Sequence, residues 1–571
     1  MNIDLGIWDL EFGIWNLNRI YFNMKILLPL FIIVLLSCNS SHEPADKIYF
    51  NAKIWTGDST QPWVNAIAVR GNKIVFTGDD FKHYKGSNTE MIDLQDKLVV
   101  PGFIDNHTHF LSGGYNLASV DLKIAKTPKE FILFMQEYCK LHPDDRWIQG
   151  GNWDHEAWGG ELPKKEWIDS VTGNHPVFVS RYDGHMAFAN SKALQLAGVN
   201  KNTPVPAGGE IVKTSKGELT GVLKDEAMNL VFRVIPDPSE KELDEYLQRA
   251  VEHAFENGVT QIHDMGSYGG WIDLATYRRN SENKKLDLRV YSFVALSTWK
   301  KLDSFCIKNG KGDNMLRWGG VKGFVDGSLG STTAWFYKPF LDAPNTNGLY
   351  VTDTNDLRQW ILSADSADLH VAVHAIGDRA NDFLLNIYDE AEKKIHKDHR
   401  FRIEHAQHLT QQAIPKFKQL GVIPSMQPYH AIDDGRWAYK RLDDARLKGT
   451  YAFKGLVDEN SMLTFGSDWP VAPLTPIEGI YAAVTRRTLD DKNPKGWYPE
   501  QKISVEQALQ CYTVNNSYAG FQEYKLGKIK EGMFADFLVL DQNIFDIAPE
   551  KIINTKVLLT IINGKEVYKQ K

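Results

Sequence analysis

Short apolar runs alternate with amphipathic stretches through most of this 571-residue chain, and that alternation restricts what it can fold into. Candidate strands are 98–105, 177–180, 259–264, 321–326, 370–374, 401–404, 422–426 and 462–466, and the clearest helical stretches are 241–257, 357–367 and 380–394. Strands that read as continuous apolar runs are covered on both faces, as in a parallel sheet under helices. Eight of them over some 400 residues predict an α/β protein built on a (β/α)8 TIM barrel spanning 99–518. The stretch at about 121–239, rich in Trp, Gly and Pro, then holds an insertion. Segments 47–98 and 519–571 read instead as short strands broken by turn residues such as Gly71-Asn72 and Asn563-Gly564. Neither end can bury a core alone, so the two are expected to pair into one small β-sandwich.

The beginning of the chain reads as an address. Lys25 precedes an apolar run, 26–36, and then Ser37-Cys38, a pattern that fits a signal peptide and is too short to span a bilayer comfortably. Leu35-Leu36-Ser37-Cys38 resembles a bacterial lipobox, which implies a lipid on Cys38, a membrane anchor facing the periplasm or cell exterior, and a tether over 39–46. Residues 1–23 precede an otherwise complete signal, and we take Met24 as the start of translation. The balance of 65 basic and 72 acidic residues, net −7 with a pI of about 6.2, gives no basic footprint for nucleic acid. Four scattered cysteines supply neither a disulfide framework nor a cysteine metal site.

Histidine carries the chemistry. A barrel of this kind places its active site where the strands end, and polar residues gather there. His107 and His109 are two apart in an extended segment, so both imidazoles point the same way and can hold one ion. His374 ends the run 370–374, with Val371 and Val373 facing outward; His405 ends 401–405 on one face with Ile403; Asp468 follows 463–467. Any one of these has an ordinary structural explanation. Four histidines and an aspartate at the ends of candidate strands form a ligand set suited to Zn²⁺ and similar ions. Lys322 lies inside the apolar run 321–326, where burial disfavours its charged form. It is either salt-bridged, to Asp326 or Glu404, or a neutral amine able to add CO₂ and become an anionic carbamate. Candidate substrate contacts are Trp153 and His185 in the insertion, His263 at a strand end, and Gln427 and His430 after the seventh strand.

Residues 101–109 (Pro-Gly-Phe-Ile-Asp-Asn-His-Thr-His), His374-Ala375-Ile376-Gly377-Asp378, Arg402-Ile403-Glu404-His405 and Gly466-Ser467-Asp468-Trp469-Pro470 together resemble the amidohydrolase superfamily. More narrowly they are similar to amidohydrolase family 3, the group typified by YtcJ-like proteins and N-substituted formamide deformylase, which also matches the stretch 321–330 around Lys322. One departure stands out: the group often carries arginine where this chain has Thr332. The resemblance implies that His107, His109 and Asp468 hold the more buried of one or two divalent ions, that His374 and His405 hold the second, and that carboxylated Lys322 bridges them. It further implies that Asp468 is the catalytic acid/base in hydrolysis of a non-peptide C–N bond of a small-molecule amide, with a homo-oligomer compatible. A deaminase of the same superfamily and a non-catalytic binding or regulatory protein are the competing readings.

Overall fold

The structure, a computed structural model, describes residues 43–181, 186–206, 209–267 and 269–571. Its centre is an eight-stranded parallel barrel. In chain order the strands are β1 (Phe103–Thr108), β2 (Val259–Asp264), β3 (Arg289–Ala295), β4 (Leu316–Phe324), β5 (His370–Ala375), β6 (Arg402–His405), β7 (Ile423–Met426) and β8 (Thr464–Phe465). The outer face of the strands packs on amphipathic helices. Glu240–Glu256 is representative: Ser239 and Glu242 form a capping box at its start, and Leu243, Leu247, Ala250, Val251 and Ala254 make a 3.6-period buried stripe. On β5, Val371 and Val373 join that outer core, while His370 and His374 take the opposite face.

Two of the strand expectations are corrected, and one barrel strand was not foreseen. The third barrel strand is Arg289–Ala295, whose polar Arg289 and Ser292 interrupt any continuous apolar run. The stretch 177–180 lies instead in the inserted unit, as part of Phe178–Arg181. The run 98–105 is two strands: Leu98–Pro101 belongs to the terminal sandwich, and β1 begins after Gly102. A Cβ at Gly102 would lie 2.4 Å from the Thr260 side chain, so glycine is required where the chain passes between the two layers.

The insertion forms a six-stranded sheet in the order Gly209–Lys213, Leu219–Asp225, Met186–Ala189, Phe178–Arg181, Gly150–Trp153, Val120–Asp121. It has its own core around Phe131, Met135, Trp153 and Phe188. The first and last described stretches of the chain meet in the terminal sandwich, where Phe537–Leu540 runs antiparallel to Leu98–Pro101 and one core holds Tyr49, Ile54, Val99, Phe537 and Ile561. Its link to the barrel is polar: Arg289 of β3 makes a buried bidentate pair with Asp536 at 2.5 and 3.0 Å. No helix among the described residues is long and apolar enough to cross a membrane.

Candidate metal centre

The strands β1 and β8 bring His107, His109 and Asp468 together at the C-terminal mouth of the barrel. His107 Nε2 and His109 Nε2 lie 3.4 and 3.5 Å from Asp468 Oδ1, and one ligand atom from each of the three residues falls within 4.8 Å of the others. Backbone bonds fix this spacing: Asp468 N donates to His107 O at 2.8 Å and His109 N to Trp469 O at 2.7 Å. Gly466 is forced by the same approach, because a Cβ there would sit 2.6 Å from His107 N. Asp105 adds a side-chain brace, accepting from the amides of His107 and Ser467 at 3.1 and 3.0 Å.

His405 and His374 complete the group. The His405 ring lies 5.0 Å from that of His107 and 4.5 Å from that of His374. The way His405 arrives differs from the expectation. Ile403 faces the outer helices, so simple alternation would turn His405 outward with it. Left-handed backbone at His405 (φ 71°) and Ala406 (φ 44°) swings the imidazole into the mouth. Asp468 has φ 63° as well. Residues in that region cost about 1–3 kcal/mol each, and such strain gathers at functional sites.

Each imidazole is oriented by a bond at its far nitrogen. His107 Nδ1 donates to Glu404 Oε2 at 2.5 Å, His109 Nδ1 to Gly266 O at 2.6 Å, and His405 Nδ1 to Gln427 Oε1 at 2.8 Å. His374 is turned the other way, with Nε2 donating to Gly327 O at 3.0 Å. These bonds leave Nε2 of His107, His109 and His405, and Nδ1 of His374, as lone-pair nitrogens. Second partners of this kind are what orient metal-binding histidines. His107 Nε2 is buried with no hydrogen-bond partner, as a nitrogen awaiting an ion would be. Burial, reinforced by the nearby Lys322 charge, lowers His107 to about 4, and burial lowers His374 to about 3, so both are neutral ligands at pH 7. Burial alone would raise Asp468; His107 and His109 outweigh it and keep the carboxylate ionised.

Lys322 is buried on β4, and burial lowers its pKa against the pull of Glu404 and Asp468. Among the described residues no carboxylate lies within 4.0 Å of its Nζ, which stands 4.7 Å from the centre of the Phe324 ring. Both expected salt-bridge partners are engaged elsewhere. Asp326 accepts from the amides of Trp335, Ile376 and Gly377, and Glu404 from His107, Arg402 and Ser425. The donor set fits one or two divalent ions: four oriented imidazoles, an ionised carboxylate and an unpaired lysine around one mouth.

The substrate-contact expectations fare differently. His430 does reach the site, with Nε2 buried, 3.6 Å from Asp468 Oδ2 and without a hydrogen-bond partner. Gln427 is buried and serves to orient His405. His263 lies in the barrel interior, taking a bond from Arg402 at 3.0 Å. Trp153 is wholly buried in the core of the insertion, its indole donating to Val179 O at 2.9 Å. His185 and Cys38 lie outside the described residues. Sequence reasoning missed Gly266 as an orienting group, and it assigned no orienting role to Glu404 or Asp105, although both stand inside the motifs it quoted.

Comparison with known proteins agrees with this geometry. A family model described as "Amidohydrolase family", family 3, matches residues 90–568. Protein LONG AFTER FAR-RED 3 of Arabidopsis thaliana is 39% identical over 92% of this chain and 92% of its own length. N-substituted formamide deformylase of Arthrobacter pascens is 26% identical over 92% and 98% respectively. An uncharacterized metal-dependent hydrolase from Pyrococcus furiosus, of known crystal structure, superposes with a TM-score of 0.74 at 29% identity, over 88% of this chain and all of the other. With the barrel, the clustered ligands and the match over most of its length, the chain belongs to amidohydrolase family 3 and is a metal-dependent hydrolase of that superfamily.

Proposed function

We propose that this protein hydrolyses a carbon–nitrogen bond outside the peptide class, in a small-molecule amide, an N-substituted formamide or a cyclic amide. The observation that carries the reading is the set of four imidazoles, each held at its far nitrogen and each offering the other nitrogen to one mouth beside Asp468. The relative from Arthrobacter pascens, named for deformylation of N-substituted formamides, supports the bond type.

His107, His109 and Asp468 would hold one divalent ion, zinc by its preference for this donor set, and His374 and His405 a second. A bound ion of this kind lowers the pKa of water towards neutrality and polarises a carbonyl. Lys322 lies beside no carboxylate, and burial shifts it towards the uncharged form; as the free amine it could add CO₂, the Nζ–C bond forming as one C=O π bond opens onto oxygen and one amine proton leaves to solvent, to give an anionic carbamate. Asp468 takes the proton of the attacking water and returns it to the leaving nitrogen, giving an acid and an amine. His430, beside the second oxygen of Asp468, faces the same space. The unpaired lysine favours this reading over a single-metal deaminase, which has no use for a bridging anion.

We also propose export and lipid attachment at Cys38. Mass spectrometry of the mature N-terminus would test this, and an unmodified Cys38 within a retained leader would refute it. For the reaction itself, the zinc-loaded protein should turn over members of a panel of N-acyl amines, formamides, cyclic imides and hydantoins. A metal-loaded protein inert towards all of them, or one that releases ammonia from purines instead, would overturn the assignment.

A further inference from the structure

The barrel is not closed by a strand ladder below the point where the metal centre stands. Parallel ladders join each neighbouring pair from β1–β2 through β7–β8. Between β8 and β1 the described residues show one isolated bridge, Thr108 with Trp469, beyond the end of the two-residue β8. Below it, the two strands are joined by a side chain from elsewhere. Asn516 lies on the helix Val514–Ala519, after the last barrel strand, and is fully buried. Its Nδ2 donates to Ile104 O of β1 at 2.5 Å and to Phe465 O of β8 at 2.7 Å.

The orientation of that amide is unambiguous, since two carbonyl oxygens must face the NH₂ and not the other oxygen. Asn516 Oδ1 is left buried without a partner. A buried amide with one unmet acceptor is costly, and a leucine of similar size would remove that cost unless the two donors matter. Their position gives the reason. Ile104 and Phe465 stand three residues ahead of His107 and Asp468, and the His107–Asp468 contact at 3.4 Å is made across this seam. Asp105 bonds the amides of His107 and Ser467 from the same seam. A gap opening between β1 and β8 would part the two ligands directly.

We propose that Asn516 is a positioning residue for the metal centre: it ties β8 to β1 where the ladder is missing, below the backbone bonds that space His107 and Asp468, and so supports that spacing. The proposal rests on the reading of these residues as metal ligands. It also makes the helix Val514–Ala519, after the last barrel strand, part of the site's construction.

Asn516→Leu, which keeps the packing volume and removes both donors, tests it beside Asn516→Ala. Asn190→Ala is the control: Asn190 is equally buried, but ties Val177, Thr172 and His175 together inside the insertion. Two quantities are measured: the Zn²⁺ dissociation constant by competition with a chromophoric chelator, and hydrogen exchange at the amides of Asp468 and His109 in the zinc-free protein. Asn516→Leu should weaken zinc binding roughly 10–100-fold, the usual range for loss of an outer support, and speed exchange at both amides. Asn190→Ala should lower the melting temperature while leaving both quantities unchanged. Wild-type zinc affinity and exchange in Asn516→Leu would overturn the proposal, as would equal zinc loss in the control, which would mark a general loosening. If Asn516→Ala does not fold, Asn516→Leu alone decides. A wild-type chain that binds no zinc overturns the metal reading and this proposal with it; unchanged exchange with intact zinc binding overturns this proposal alone.

Discussion

Glu404 has no solvent exposure and takes bonds from His107, from Nε and Nη2 of Arg402 and from Ser425. Burial would raise its pKa, but Arg402 and His107 outweigh that and hold it well below the usual carboxylate range. Replacing it with glutamine keeps the shape and leaves Arg402 buried without its counter-charge. Glu404→Gln should therefore lose about 3–5 kcal/mol of stability by thermal or urea unfolding, the range for breaking a buried pair. Zinc affinity should fall alongside, by roughly 10–100-fold, because His107 loses its charged orienting partner. Asp468→Asn should behave differently. Asparagine tolerates the left-handed backbone at φ 63° and can still offer an oxygen to the ion. Its turnover should drop by at least about 10²-fold, the lower range for a lost acid/base group, with metal content near wild type by elemental analysis. Lys322→Ala should lose both metal and activity, with partial recovery in formate or acetate; an unaffected variant would show the lysine to be structural.

Elements rather than residues decide how the terminal sandwich and the barrel hold together. Arg289, at the start of β3, sits in a buried pair with Asp536 and also bonds Asn563 at 2.6 Å, so one guanidinium ties the barrel to two strands' ends from the C-terminal segment. Asp536→Ala should cost about 3–5 kcal/mol in a denaturant titration, since it leaves the arginine buried and unpaired. This same strand was the one hidden in the sequence. β3 alternates Arg289, Tyr291 and Phe293 inward with Val290 and Val294 outward, and its inner face serves a polar barrel interior that no apolar run announces. The helices and the strands around His374 were legible because their periodicity is set by one apolar environment. The split at Gly102 was not, because the apolar run 98–105 continues through two layers without a break in hydrophobicity. His405 was readable as a site residue from its motif, yet its direction depends on a backbone turn that side-chain alternation cannot express. Asn516 has no motif at all, and only the closed barrel brings it to the seam.

Among the described residues the molecule is a barrel whose mouth is built across the one join without a strand ladder, with residues from both terminal stretches in one sandwich core and a separate core in the insertion. A ligand that binds only the folded state stabilises it by mass action, by roughly 4 kcal/mol at a thousandfold excess over its dissociation constant. Removing metal with a chelator should therefore lower the melting temperature of the intact protein, and restoring zinc should return it. The central claim is tested most directly by counting divalent metal in the purified protein by native mass spectrometry, in the wild type and in a His107→Ala/His109→Ala pair. The account predicts one or two ions per chain in the wild type, with loss of at least one in the double variant. A wild-type protein that is active without metal, or a double variant with the full complement, would contradict it.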